Sequence, residues 1–536
     1  MNQPAPADPS EGLTRGSFMK SALGVAVGGA AGSLLSACAG LGAKRATGSA
    51  LPPATGPVRR GGQLRVGMVG GGSSETFDPA RGVTIIDQAR IDNVFEPLTL
   101  VAPDLSLKPG LALEWNANQD ATVYEIKLRP DVTFHNGKSF TADDVIYSMQ
   151  QMGKATSAGA PFVAGVRLGE LKKINDLTVR VPLKYADAYL SQNFVFYNTN
   201  IIQDGETNFA KPVGTGPFVF ESFTPGSQST ITAYKDYWEH GKPYVDSVTI
   251  ISITDDTARL NALLANEIDA MAQLSFDLAL AQQNSSKIVI LNAPGPQPIM
   301  FYMDVSRPPF NDPRVRMAMR LIPDRPALID GALAGYGTLG NDIIGKGLEF
   351  YDSSLPQREQ DIDHAKFLLK QAGRSDLQFT LDTSTLFPGF VESATLLAEQ
   401  ASHAGVKINL RQIDPDAYYN TSLDYLKMGF AETQWQLPSL KYFYLQALSS
   451  SAPYNETHWS SKSFDKQLLA AIGEQDRTEA ARLWTDLQRT QYELGGYINW
   501  AQYNWLDGLS PKVRGIVPSA YSSLGNGMFK DAWLAA

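Results

Sequence analysis

The sequence predicts an α/β protein whose chain begins β-rich, turns helix-rich in its second half, and ends in strand. Three observations carry this. Residues 122–134, "TVYEIKLRPDVTF", alternate apolar and polar side chains, the period of a half-buried strand. Residues 392–404 show helical spacing, stop at Gly405 and pass directly into strand-like 406–410. Residues 497–509 are apolar and strand-like once more.

The elements follow in order. Residues 62–69 alternate as a first strand and lead into the glycine-rich loop 70–74. Residues 122–134 read as strands around a turn at Arg129-Pro130-Asp131, with a further turn at His135-Asn136-Gly137. Thr141 caps a helix whose first turn carries Asp143 and Asp144, acids suited to the positive end of a helix dipole. Residues 220–223 and 248–253 continue the β-rich half, and Asp255-Asp256 caps a helix over 257–266. Beyond Pro298 helices are expected over 312–321, 363–372 and 392–404. The last two stop at Gly373 and Gly405, where a left-handed cap is favoured. Two long helices fill 464–494, and no internal repeat is present.

The N-terminus carries a different message. The basic patch "TRGSFMK", residues 14–20, precedes seventeen uncharged residues, 21–37, and then Cys38, the only cysteine in 536 residues. That run is short for a membrane span, which needs roughly 20 apolar residues. Basic start, apolar middle and small residues before a cut describe a secretory signal peptide. Leu35-Ser36-Ala37-Cys38 resembles the bacterial lipobox, in which the cysteine becomes the lipidated first residue. The basic patch resembles a twin-arginine signal with Gly16 where the second arginine belongs, so export by the general route stays open. Residues 39–60 are rich in Gly, Ala, Pro, Ser and Thr, a flexible tether spanning roughly 25 Å as a coil.

Composition bounds the rest. The whole chain has 43% hydrophobic and 10% aromatic residues and a net charge of −9. An acidic chain without a basic run argues against nucleic acid and against a polybasic membrane surface. Catalysis finds no footing. Five histidines, His135, His240, His364, His403 and His458, show no metal-ligand spacing, and no G-x-S-x-G elbow is present. Gly137-Lys138-Ser139 has Val132 where a phosphate loop needs glycine. Ser463-x-x-Lys466 lacks its companion motifs and reads as a helix cap. No cofactor and no metal are expected.

From residue 61 onward the chain resembles the family 5 extracellular solute-binding proteins of ABC importers, the dipeptide-, oligopeptide- and nickel-binding type. The resemblance rests on "TFDPARG" (76–82), "FHNGKSFTADDVIYSM" (134–149), "VGTGPFVFESFTPG" (213–226), "YWEHGKPYVDSVTI", "TARLNALLANEIDAM", "RPPFNDPRVRMAMRLIPDR" and "HAKFLLKQAG", all in the family's order. It implies a two-lobed periplasmic-binding-protein-like fold, type II and of the enlarged cluster C kind, with an extra β-rich subdomain in the first lobe. The expected divisions are a signal peptide with lipobox at 1–37 and a lipidated cysteine and tether at 38–60. Lobe I then takes 61–95, its inserted subdomain 96–197, a second segment 198–297 and a C-terminal return 497–536. Lobe II takes 298–496.

The resemblance further implies a monomer that captures a small organic solute and delivers it to ABC permease membrane subunits, and through them to a cytoplasmic ATPase. The membrane would be reached through the lipid anchor, outside the cytoplasm. A ligand-sensing receptor using the same clamp and an exported hydrolase are the competing classes. Peptide binders of the family place an acid within a W-x-x-D-x-x-x-P segment, and counting back from Pro438 puts Gln434 there. Glu432 lies two residues away, and a shifted alignment would restore an acid. Leaving an ammonium desolvated without its carboxylate costs several kcal/mol. The segment instead offers Gln434, Trp435 and Gln436 with Tyr442 close behind, amides beside aromatic plates that suit peptide-like, opine-like or sugar-bearing solutes. Phe77, Tyr302 and Phe387 complete the expected binding wall. His458 lies downstream of the segment where the nickel-binding branch keeps a histidine.

Overall fold

Alternation along residues 63–68 points Leu64, Val66 and Met68 the same way, and all three are fully buried. They form the strand Gln63–Met68 of the computed structural model, which describes residues 57–419 and 424–535. Cys38, the signal-like run before it and the tether up to residue 56 lie outside the described residues. No helix among the described residues is long and apolar enough to cross a membrane.

Gln63–Met68 lies inside an eleven-stranded mixed sheet. On one side it pairs in parallel with Ser247–Ser252, beyond which Gln228–Ala233 and Phe218–Thr224 follow antiparallel. On the other it meets Ala270–Met271, which hands the sheet to Tyr497–Leu509. The far half holds Phe430–Gln434, Gln378–Ser384 and Lys407–Ile413.

Two long strands join the halves. Val289–Met303 and Tyr497–Leu509 run antiparallel to each other over their full lengths. The Val289 end pairs with Leu509, whose strand touches Ala270–Met271 at the same end. The Met303 end instead pairs with Phe430–Gln434. Their register breaks between Pro294 and Pro298, a stretch with prolines at 294, 296 and 298. Proline donates no ladder hydrogen bond, so an unbroken ladder is impossible there. The Tyr497 end of the C-terminal strand pairs with Tyr302, on the side of Phe430–Gln434.

A separate four-stranded antiparallel sheet is built from Ala112–Ala117, Val123–Leu128, Thr178–Pro182 and Lys172–Asn175. It packs with the helix Ala142–Met152 around its own core, including Ile126, Val145, Met149 and Val179. The stretch expected to be strand on both sides of Pro130 is strand only up to Leu128. Beyond it Asp131 takes φ +59 and Thr133 makes a single bridge to Ser139.

Helix ends follow local chemistry. Thr141 and Asp144 form a reciprocal capping box, and Asp255 accepts from the Ala258 amide. Gly373 and Gly405 follow their helices with φ +67 and +79, the left-handed region that glycine enters without steric cost. One cap differs from expectation: Ser461, not Ser463, accepts from the Phe464 amide, because the helix Lys462–Gly473 begins one residue before Ser463.

The motifs that carried the resemblance serve the scaffold. A Cβ at Gly214 would sit 1.9 Å from the Val94 carbonyl oxygen, so the G-T-G-P stretch needs glycine for close backbone approach. Arg320, fully buried, donates to the carbonyls of Tyr497 and Tyr492, each at 3.1 Å. That ties the helix Pro313–Leu321 to the start of the C-terminal strand.

Candidate functional site

The end of Phe430–Gln434 delivers Gln434, Trp435 and Gln436 into a cavity of about 480 Å³. Tyr419, Tyr425, Tyr442, Gln446, Tyr454 and Glu456 complete this wall, and the facing wall is Val83, Phe162, Phe196, Tyr197 and Asn198. A second cavity of about 380 Å³ shares Val83, Tyr197, Tyr419, Gln434 and Gln436 with the first. It extends toward Gln88, Gln273, Phe387 and Trp505. A third cavity, of about 500 Å³, lies between 104–107 and 348–350. Its cations are already paired: Lys441 with Asp187, and Arg477 with Glu349. The Gln434–Gln436 cavity is where unpaired polar groups collect.

The two sides of the cavity are tied through Gln436 and through Tyr442. Gln436 Nε2 donates to the Tyr521 carbonyl at 3.1 Å. The Tyr442 ring stacks on Phe162 at 5.7 Å and 10°. Each joins a residue of the 430–446 region to a distant segment of the chain. Gln434 is held from behind, its Oε1 accepting from the Tyr503 hydroxyl at 3.0 Å, which leaves its NH2 to face the cavity as a donor. Trp435 sits edge-on to Phe443 at 5.1 Å and Tyr454 at 6.1 Å.

An acid reaches this cavity from another segment of the chain. Glu456 lines the cavity yet is only 1% exposed. Its carboxyl accepts from Thr433 Oγ1 at 2.6 Å and from the Tyr497 hydroxyl at 2.9 Å. Burial pushes its pKa up to about 7, opposed by these hydrogen bonds and by the Trp435 indole beside it. No lysine, arginine or histidine among the described residues forms an ion pair with it. Gln446 lines the same cavity, and its buried Oε1 has no hydrogen-bond partner. It lies on a π-helical turn, Tyr444–Leu448, a local irregularity often found where a side chain is aimed for function.

Of the residues expected from sequence, Gln434, Trp435, Gln436 and Tyr442 meet in the first cavity and Phe387 lines the second. Phe77 and Tyr302 are corrected. Phe77 is fully buried, edge-on to Phe220 and Phe223, because its neighbours on that side are all apolar. Tyr302 is fully buried behind the wall and donates its hydroxyl to the Tyr425 carbonyl at 2.7 Å. Glu432 does not restore an acid to the cavity. It is fully buried, accepting from Ser393 Oγ at 2.6 Å. His458 lies outside the cavity, with Nδ1 3.2 Å from Asp304 Oδ1. Among the described residues no group of three or more His, Cys, Asp or Glu is placed to hold a metal. Sequence reasoning missed Glu456, Gln446 and Tyr454. The one available signal was an acid set among aromatics in "YNETHW", 454–459.

A two-part sheet joined by two long strands, with a cavity walled by distant segments, offers a small solute a site between them. A family model described as bacterial extracellular solute-binding proteins, family 5, matches residues 106–455, and the chain belongs to that family. It is 26% identical over 495 residues to di/tripeptide-binding protein 2 of Pseudomonas aeruginosa, covering 84% of this chain and 91% of that protein. Its fold is that of two-lobed periplasmic binding proteins. It superposes on the periplasmic binding protein DppA from Helicobacter pylori in complex with peptide STSA with a TM-score of 0.75. That match has 22% identity and covers 89% of this chain and 99% of that one. It superposes equally on AgaA from A. tumefacien R10 in complex with agropinic acid, with a TM-score of 0.76 at 19% identity. Coverage there is again 89% and 99%.

Proposed function

We propose that the protein captures a small organic solute, peptide-like, opine-like or sugar-bearing, between two lobes and delivers it to the permease of an ABC importer. The lobes are the two halves of the sheet with the helices packed on each, and the hinge is the register break at 294–298 with its partner 502–504. The single observation that supports this best is the cavity between Trp435 and Phe196, bridged by the Gln436–Tyr521 hydrogen bond. Bridging contacts of that kind favour a closed state that a permease can distinguish from the open one. Relatives and neighbours whose names include di/tripeptide binding, glutathione binding and agropinic acid support the ligand class.

In this reading a lipid on Cys38 holds a monomeric body to the outer face of a membrane, with residues 39–60 as the tether. Two acyl signals anchor stably where one chain does not. Replacing Cys38 by alanine is expected to move the protein from the membrane fraction to the soluble fraction; a variant that stays tightly bound overturns the anchor.

The test of capture is thermal unfolding of the full chain across free and acetylated peptides, opine-like conjugates, oligosaccharides and nickel chelates. A solute at 100 times its Kd adds about 2.7 kcal/mol to stability, a clear shift in a melt. At least one organic class is expected to shift the transition. A shift with nickel chelates alone overturns the organic-solute reading, and turnover of any probe overturns the transport reading.

A further inference from the structure

Glu456 is a buried acid at the wall of a cavity without a cation among the described residues to neutralise it, and burying a charge unpaired is costly. The described groups facing it are neutral. Tyr302 and Tyr497 come from the two crossing strands, Tyr419 and Tyr425 from the loop before Phe430, and Thr433 and Trp435 from the adjoining strand end. All four phenols are raised above their ordinary values, chiefly by burial and further by the Glu456 charge, so none ionises near neutrality. Tyr442, Tyr454 and Trp435 add aromatic rings around the same cavity, and Gln446 adds a buried acceptor that nothing satisfies. Acceptors and π-faces together favour a positive charge.

We propose that this corner of the cavity is a cation subsite, in which an ammonium or guanidinium group of the solute pairs with Glu456 and Gln446 Oε1 among the rings of Trp435, Tyr442 and Tyr454. The proposal rests on reading the cavity as the solute site and names the chemistry that site selects. It carries a consequence that capture alone does not. Burial pushes the Glu456 carboxyl up to about 7, so at neutral pH the empty site holds it protonated in part of the molecules. A bound cation holds the carboxyl ionised, and the O–H proton passes to solvent. Binding is thus coupled to proton release and tightens as pH rises through neutrality, the direction opposite to a histidine-gated cation site.

Calorimetry of the full chain at pH 7, in phosphate and in Tris, tests this with trialanine, N-acetyl-trialanine and agmatine as probes. Trialanine or agmatine is expected to bind with an enthalpy that differs between the buffers by the release of a fraction of a proton. N-acetyl-trialanine is expected to bind at least ~10-fold more weakly than trialanine, with no buffer dependence. Glu456→Gln should remove both the preference and the buffer dependence, whereas Glu456→Asp should keep the dependence. Circular dichroism establishes that each variant is folded. Equal binding of the free and acetylated peptides without proton release overturns the subsite while leaving solute capture intact. A preference for the free amine that survives Glu456→Gln places the amine elsewhere and also overturns it. Failure of trialanine and agmatine to bind overturns the subsite, while the capture reading stands or falls on the thermal unfolding of the full chain across the solute classes.

Discussion

Two buried acids in this protein show opposite treatments of the same problem. Asp187 is 5% exposed and meets Lys441, 2% exposed, at 3.0 Å, while Lys441 also donates to the Tyr189 carbonyl at 2.8 Å. Glu456 is buried more deeply and meets only hydroxyls and an indole. The first pair joins the region after Thr178–Pro182 to the stretch Leu440–Phe443 and closes on itself. The second carboxyl faces a cavity and stays short of one charge. A satisfied buried pair holds segments in register, whereas an unsatisfied one beside open space is where a ligand gains most.

That contrast is sharpened most by Lys441→Met. Asp187 would be left buried and unpaired, and stability is expected to fall by about 3–5 kcal/mol, read as the midpoint of urea unfolding. A loss under about 1 kcal/mol would show that Asp187 escapes to water and that the pair is ornamental.

Next comes Glu456→Gln in the absence of solute. The folded carboxyl holds its proton up to about pH 7, while the unfolded one releases it near its ordinary value. Folding therefore binds a proton between those limits, and the stability this confers is complete below the ordinary value and lost as pH rises through 7. The wild type should lose ~3 kcal/mol from this group between pH 4.5 and 8. The variant should lack that component and gain on the wild type at pH 8. Asp92, pushed up to about 7, and Asp507, pushed up to about 6, both chiefly by burial, keep a residual slope of the same sign in both proteins. Parallel curves for the two proteins would mean Glu456 is already ionised in the empty site.

Trp435→Ala is expected to weaken solute binding by about tenfold, with the melting transition retained, because its ring is half-buried and shared between wall and cavity. Unchanged affinity would remove it from the site. The smallest effect belongs to Gln436→Ala, which deletes one hydrogen bond between the walls. A contribution of about 0.5–1.5 kcal/mol to closure should appear as a several-fold rise in Kd and a larger radius of gyration in solution scattering.

How legible the protein is depends on how local the controlling interaction is. The cap at Asp255, the capping box of Thr141 with Asp144 and the glycine stops at 373 and 405 were all readable, since each involves residues within one turn. The cap at Ser461 was missed by two residues because Ser463 offers the same chemistry almost as well. Phe77 and Tyr302 were expected at the ligand from their family positions, but an aromatic in sequence carries no sign of which face its partners occupy. Gln434, Trp435 and Gln436 were found because they replace an expected acid, and the acid that reaches the cavity was not found.

The sequence by itself determined the α/β class, the order of elements, most helix ends and the family, because periodicity, capping and glycine conformations act over a few residues. Only the tertiary structure decided which of its acids faces the cavity. Glu432 and Glu456 are chemically alike, yet one turns toward Ser393 in the packed interior and the other toward Trp435 and open space. That choice depends on a crossing between 433 and 456, set by packing across the whole sheet, and no local pattern in the chain encodes it.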